Sequence, residues 1–504
     1  MRFGGWKCKL LLLAAIEIGA AAGFAIFTPS GRFRSIDISA DAKSGLMRAF
    51  QAQLSNAPAA VQKFYSGLGN KPLWVTPSGF SPTARAVLLI LRRASTEGLP
   101  AARYTVEDNL PRADAERMVT LELQMTNAAR LYAHDMTFGL LSPSSVFQDV
   151  SISRPAEDPD DRLQSAVASG VVERYLQDLE PKAAIYQRWK AALVKYSSLS
   201  TRPQTQVEAG NMQAASDRLR QEGFLPDAAT QRWQIEESLK VYQEATGINP
   251  TGKLDKSTVE AINVPFSYRA SQIAMNMERW RWLQRDLGSR YVMVNVPSAD
   301  LKLFENNAPR VTSRVVVGAP DKPTPILATK AIAVTLNPVW HVPASITKKE
   351  ILPKVALDPS YLDSKGMQQT ETGEIIQLPG AGNALGLAKV EMPNPFDVYL
   401  HDTPSKRAFL SDDRALSHGC VRVEQIKDLI TEILGLPAED VDAQIASGKT
   451  AQKRLAEPIP IYIQYWTALP DNLGRMGFLQ DVYGRDNAMI AAMRGSRMLS
   501  SKSA

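Results

Sequence analysis

Apolar positions recur every three to four residues through the first half of this 504-residue chain, and every second residue through most of the second half. From about Gly45 to Ser200 the spacing is that of helices. "SPTARAVLLILRRASTEGLP" puts Ala86, Leu89, Ile90 and Arg93 on one face and stops at Gly98. "RADAERMVTLELQMTNAARLYAHDMTFGLL" repeats Leu121, Leu123, Ala128, Leu131 and Tyr132 at roughly one turn. Residues 45–207 therefore predict a helical domain with no visible chemistry. Its His134 has no second ligand type at helical spacing, which predicts a structural or exposed histidine. "STRPQTQVEAGN" reads as a linker. Three short helices are expected over 208–265, with Gly223 and Gly247 at helix ends and Ser257 or Asp255 as an N-cap. A connecting helix is expected over 266–287.

Near Tyr291 the period changes to two. "YVMVNVPSADLKLFENN", "RVTSRVVVGAP" and "AIAVTLNPVWHVP" alternate and are broken by Pro, Gly and Asn, as strands and turns are. Residues 288–466 predict a mainly β domain, interrupted by a flap at about 350–378 and by a helix after Cys420. "PIPIYIQYWTA" adds a late strand, and 467–504 form a C-terminal segment. The fold class is multidomain α+β.

The N-terminus changes the picture of where the chain sits. Arg2, Lys7 and Lys9 precede an apolar run from Leu10 to Phe27 that is interrupted only by Glu17. As a helix it would reach roughly 27 Å, near the thickness of a bilayer's hydrocarbon core. Residues 10–27 are expected to anchor the chain in the inner membrane with a cytoplasmic N-terminus; a cleaved signal peptide is the alternative. Residues 28–44 read as a tether, and everything beyond lies in the periplasm.

Composition is globular, with 44% apolar and 22% charged residues. The net charge of +6 comes without a basic–aromatic patch, so nucleic acid is not expected. There are two cysteines. Cys8 belongs to the N-terminal segment, which leaves Cys420 alone in an oxidising compartment. A lone cysteine there is either buried and inert or kept for chemistry.

The surroundings of Cys420 favour chemistry. In "PFDVYLHDTPSKRAFLSDDRALSHGCVRVEQIKDLITEIL", Phe396, Val398 and Leu400 are expected on one face of a strand, with Asp397, Tyr399 and His401 on the other. Ile426, Leu429, Ile430 and Ile433 mark a helix, so Cys420 is expected just before a helix N-terminus, where the dipole and Arg422 would favour a thiolate. His401 and His418 are both candidate bases. His401 arrives from a neighbouring strand, as bases usually do. Gly419 permits a tight turn and leaves backbone N–H groups for an oxyanion.

These residues carry two resemblances. "LKVYQEATGINPTGKLDKSTVEAINVP" resembles the three-helix peptidoglycan-binding module, through Tyr242-Gln243, Gly247-Ile248, Gly252, Leu254, Thr258 and Ala261-Ile262-Asn263. Thr251 stands where that module usually has aspartate. His401, 15 intervening residues and Ser417-His418-Gly419-Cys420 resemble the YkuD-type L,D-transpeptidase catalytic domain. "LNPVWHVP", "PGAGNALGLAKVEMPN", "YLHDTPSK" and "DVYGRD" resemble its large periplasmic class, which joins a scaffold domain to a peptidoglycan-binding module.

The resemblance implies a cysteine acyltransferase. Cys420 would attack the stem tetrapeptide before its terminal D-alanine, and the acyl-thioester would pass to an amine to give a 3–3 crosslink. It implies His401 as general base, His418 as an orienting group, Gly419 as an oxyanion donor, and Arg422, Tyr399, Ser417 and Trp340 as substrate-binding residues. Partners would be peptidoglycan stem peptides and glycan. No metal and no cofactor are expected. An L,D-carboxypeptidase, a lipoprotein-anchoring transferase and a non-catalytic wall-binding protein are the alternatives.

Overall fold

The computed structural model describes residues 38–108, 114–153 and 157–500. The expected anchor over 10–27 lies outside them. Among the described residues, no helix is long and apolar enough to cross a membrane. The tether expected over 28–44 is already helical from Ile38, where the helix Ile38–Leu54 begins. Ala40, Ala42 and Lys43 are good helix formers, which outweighs the polarity of that stretch.

The described chain divides into two units, one of residues up to Ala84 with 107–125, the other of 85–106 with everything from Thr126. The first is helical apart from a two-stranded hairpin, Val75–Thr76 with Gly79–Phe80. Its organiser is Glu122, a fully buried carboxylate. It accepts from the Tyr65 hydroxyl at 2.6 Å and from the amides of Leu73, Trp74 and Val75 at 2.6, 2.7 and 2.9 Å. The helix Pro82–Arg92 buries Ala84, Val87, Leu88 and Leu91, while Leu89 is 55% exposed. Its apolar stripe is thus turned from the predicted face, because "AVLLIL" is apolar all round and only packing selects a side.

The second unit joins helices to a mainly β domain. The helix Ala184–Leu199 packs on the connecting helix Phe266–Arg281. Trp189, Trp280 and Trp466 form an aromatic cluster at their contact with the β domain, with ring centroids 5.5–5.9 Å apart. His134 pairs through Nδ1 with Asp135 at 2.9 Å, a structural contact.

The helices Met212–Glu222, Arg232–Ala245 and Lys256–Ile262 share a core of Leu219, Phe224, Leu239, Tyr242 and Ile262. Asp255 is the N-cap of the third, accepting from the Thr258 amide at 2.9 Å. Buried Gln243 explains why the stretch from Tyr242 to Asn263 has the residues it does. Its amide donates to Thr251 Oγ1, the Lys253 carbonyl and Thr258 Oγ1, and its carbonyl accepts from Gly252 N–H at 2.8 Å. Gly252 takes a left-handed φ of 68°, and a side chain there would press on the Glu236 carbonyl.

In the β domain, one path of strands runs Ala388–Glu391, Leu400–His401, Val421–Val423, Ala308–Gly318, Asp300–Glu305, Arg290–Asn295, Ala451–Gln464, Ile326–Leu336. The last also pairs with the first, so the sheet closes on itself. Val292, Val294, Leu301, Val315, Val334, Leu400, Val421 and Ile463 fill the interior, covered by the helix Ile426–Leu434. An inserted subdomain, from Trp340 to Gln377, holds short helical turns and a three-stranded sheet of Trp340–His341, Ile375–Gln377 and Met367–Gln369. It has its own small core of Val342, Ile351, Met367 and Ile375.

Candidate active site

Alternation around the closed sheet decides which side chains leave the core. Leu400, Val421 and Val423 point into the core, so His401 and Arg422 point to the opposite face. The strands Leu400–His401 and Val421–Val423 are parallel, with His401 opposite Arg422. Cys420 immediately precedes the second strand.

The strand expected over 396–401 is only Leu400–His401. Asn394 builds a turn before it. Its side chain accepts from the Phe396 and Val398 amides and donates to the Met392 and Val398 carbonyls, while Asp397 takes a φ of 53°. Val398 and Leu400 still share the core side as the alternation predicts, with Phe396 packed against it, while the Asp397 carbonyl lies 3.9 Å from the Cys420 sulfur.

Cys420 does not stand at a helix N-terminus. Val421–Val423 is a strand, and the helix begins only at Ile426. The alternation of "CVRV" carries the chain across the sheet first, so no helix dipole supports the thiolate. Burial instead pushes the Cys420 thiol up, against lowering influences of Tyr399, Lys389 and Arg422.

The turn bearing Cys420 is held from several sides. Ser417 Oγ, buried, donates to the Cys420 carbonyl at 2.5 Å and accepts from the Gly419 amide at 3.1 Å. Thr324 Oγ1 donates to the Gly419 carbonyl and accepts from the Gly318 amide, both at 2.8 Å. Tyr483 hydroxyl donates to the Gly318 carbonyl at 2.6 Å. Gly419 has a φ of 113°, which strains any other residue. This corrects the expected role of the Gly419 amide: it is engaged by Ser417 and is not free for an oxyanion. Ser417 is correspondingly a brace of the turn, buried away from the cleft.

His401 is 5% exposed. Its Nδ1 donates to the Asp402 carbonyl at 2.5 Å, leaving Nε2 as the ring's acceptor. Burial first, then Arg422 and Lys389, bring its pKa down to about 3, so the imidazole is neutral at physiological pH. Asp402, also buried, accepts from the Leu387 amide at 2.9 Å and pairs with Lys406.

His418 is engaged by the inserted subdomain. It is exposed, and Nε2 meets Glu350 of the inserted subdomain at 2.5 Å; Lys322 reaches the same carboxylate oxygen at 3.4 Å. The half-buried Tyr399 hydroxyl interacts with the side chains of Cys420 and Trp340, and burial holds its pKa well above the ordinary phenol value. Its ring stands edge-on to His401 at 5.4 Å. Arg422 is half-buried and faces Cys420 without an acidic partner among the described residues.

Lys389, which sequence reasoning passed over, lies 4.3 Å above the Tyr399 ring. The alternation of "LAKVEM" was the available signal, since buried Ala388 and Val390 leave Lys389 on the cleft face. Asp402 was hidden because it contributes mainly a backbone carbonyl. Among the described residues, no group of three or more His, Cys, Asp or Glu could hold a metal ion.

Residues 289–447 match the family model of the L,D-transpeptidase catalytic domain. That segment is similar to L,D-transpeptidase catalytic domains. Residues 59–193 match the model of a scaffold domain. A candidate L,D-transpeptidase of Haemophilus influenzae is 30% identical over an alignment of 294 positions that covers 52% of this chain and 59% of the relative. The match thus spans about three fifths of that relative's length. Among solved structures, an L,D-transpeptidase from Stackebrandtia nassauensis shares 15% identity at a TM-score of 0.22, covering 52% of this chain and 97% of its own. One from Mycobacterium smegmatis shares 14% at 0.20, covering 35% and 58%. Superpositions this loose supply no residue correspondence.

Proposed function

We propose that this chain is a peptidoglycan L,D-transpeptidase acting outside the inner membrane, with Cys420 as nucleophile and His401 as base. The observation that carries this reading is His401 itself: a buried, neutral imidazole, its Nδ1 committed to the Asp402 carbonyl, on the strand paired beside the one that Cys420 enters. A neutral imidazole can accept a proton, and a fixed Nδ1–H leaves Nε2 to do so.

In this reading the Cys420 thiol gives its proton to His401 as sulfur attacks the carbonyl of the stem's diamino acid. The Cys420 amide supports the oxyanion, with the Tyr399 hydroxyl as a second donor. The tetrahedral intermediate collapses with cleavage of the C–N bond. D-alanine leaves as the amine, taking the proton back from His401, and a thioester remains. The amine of a neighbouring stem then attacks it, His401 accepts that amine's proton, and Cys420 is released with a 3–3 crosslink formed. Arg422 takes a substrate carboxylate, and Trp340 and Tyr399 wall the cleft. The 208–265 module holds the enzyme on glycan.

The test is incubation with purified disaccharide-tetrapeptide, then mass spectrometry of the products. Wild-type protein should release D-alanine and form 3–3 dimers, and Cys420→Ala should do neither. Equal turnover by both proteins would refute the assignment.

A further inference from the structure

Three cleft residues stand in one row across three neighbouring strands. Lys389 is the register partner of His401, and His401 that of Arg422. Their strand neighbours Ala388, Val390, Leu400, Val421 and Val423 are all buried in the core. Pleating therefore sends Lys389, His401 and Arg422 to the same face, the one that Cys420 meets. With strands about 4.8 Å apart, two cations flank the histidine, their backbones about 10 Å from each other.

Arg422 has no acidic partner among the described residues, and Lys389 has one that leaves it capacity. Glu391 meets Lys389 Nζ at 3.0 Å and also accepts from Thr335 Oγ1 at 2.9 Å. An ammonium has three donors, so one contact leaves two. Nζ is held above the Tyr399 ring, whose hydroxyl interacts with Cys420. The ammonium is thus placed beside the reacting atoms and not on the outer surface; its side chain is 23% exposed.

Resting on the transpeptidase reading, we infer that Lys389 is a specificity-determining residue that recognises a free carboxylate of the acyl-donor stem. Such a donor is anionic on both sides of its scissile bond. The leaving residue carries a C-terminal carboxylate, and a diamino acid that is itself a dicarboxylic acid carries another on its side chain. Two cations on either side of His401 match that distribution. Arg422, on the strand of Cys420, takes one anion, and Lys389, two strands away, takes the other. An amide in place of the carboxylate keeps the shape and loses the charge-assisted bond.

The test compares three tetrapeptide stem donors: one with both carboxylates free, one amidated at its C-terminus, and one amidated on the diamino acid. KM and kcat are measured for wild type, Lys389→Met and Lys389→Arg. One amidated donor should show KM raised about tenfold in the wild type with kcat little changed, the size of a lost charged hydrogen bond. Which donor it is distinguishes the two carboxylates. Lys389→Met should raise KM for the free donor to that same level and erase the difference, and Lys389→Arg should restore it. A Lys389→Met protein that keeps the wild-type preference, or slows on all three donors alike, overturns the inference. Wild-type turnover that is indifferent to amidation also overturns it while leaving the transpeptidase reading intact. If no donor is turned over, and a carbapenem adds nothing to Cys420 by intact mass, both fall.

Discussion

Glu350 accepts a hydrogen bond from His418 at 2.5 Å, tying the inserted subdomain to the turn that presents Cys420. The carboxylate comes from a π-helical segment, Thr347–Ile351, and Lys322 shares it. His418, then Lys322, hold the pKa of Glu350 below the usual carboxylate range. A depressed acid keeps its contribution at neutral pH and loses it only as pH falls through the lowered value. Glu350→Gln should therefore loosen the subdomain at pH 7. Hydrogen exchange of peptides within 340–377 should quicken several-fold, with peptides of the closed sheet unchanged. Unchanged exchange in 340–377 would show that the pair holds nothing.

At neutral pH the reacting pair is uncharged on both sides, because burial raises the thiol and lowers the imidazole. Iodoacetamide alkylation of Cys420 should rise with pH along a single limb whose midpoint lies above the free-thiol value of about 8.5. His401→Ala should leave that midpoint nearly in place yet slow acyl transfer by about 10²- to 10⁴-fold. A midpoint well below the free-thiol value would mean a resting thiolate, contrary to this geometry.

The same histidine sets a pH limit on stability. Unfolded, it takes a proton near pH 6.5 or so; folded, it does so only near 3. Between those values the unfolded state binds more protons, so stability falls as pH falls. His401→Gln should flatten this part of the urea-midpoint profile between about pH 6.5 and 4 relative to wild type. An unaltered slope would mean that the buried imidazole is not the source.

Gly386 stands at a φ of 59°, and a Cβ there would run into the Asp402 side chain. Asp402 is the residue whose carbonyl holds His401. Gly386→Ala should destabilise the domain by about 1–3 kcal/mol through overpacking and strain. Activity should fall further than the unfolded fraction explains, since His401 loses its seat. Full activity in the folded variant would separate Asp402 from the site.

Arg279 and Asp486 form an ion pair at 2.8 Å with both side chains buried. Thr467 Oγ1 and Gln272 Nε2 donate to the same carboxylate at 2.7 and 3.2 Å. Asp486→Ala strands a buried guanidinium, at a cost of about 3–5 kcal/mol, which chemical denaturation should read as a lowered midpoint. A shift below about 1 kcal/mol would mean that water reaches Arg279.

What the sequence determined by itself was whatever depends on near neighbours. Alternating Val and Ile runs specify strands, the Asp255 cap and Gly247 bound helices, and the spacing from His401 to Ser417-His418-Gly419-Cys420 pointed to thiol chemistry, because such relations are local or are held in one motif. Tertiary structure decided what depends on which strand lies beside which. Closure of the sheet sets Lys389 beside His401 and His401 beside Arg422, though the first and last are 33 positions apart. The all-round apolar "AVLLIL" takes its buried side from packing. The thiol's raised pKa comes from burial, which no local pattern reports, and the short strand at Cys420 displaced the expected helix dipole. Gly419 could be read as a turn, but only the fold brings Ser417 Oγ onto its amide and leaves His418 to reach Glu350, a residue 68 positions away.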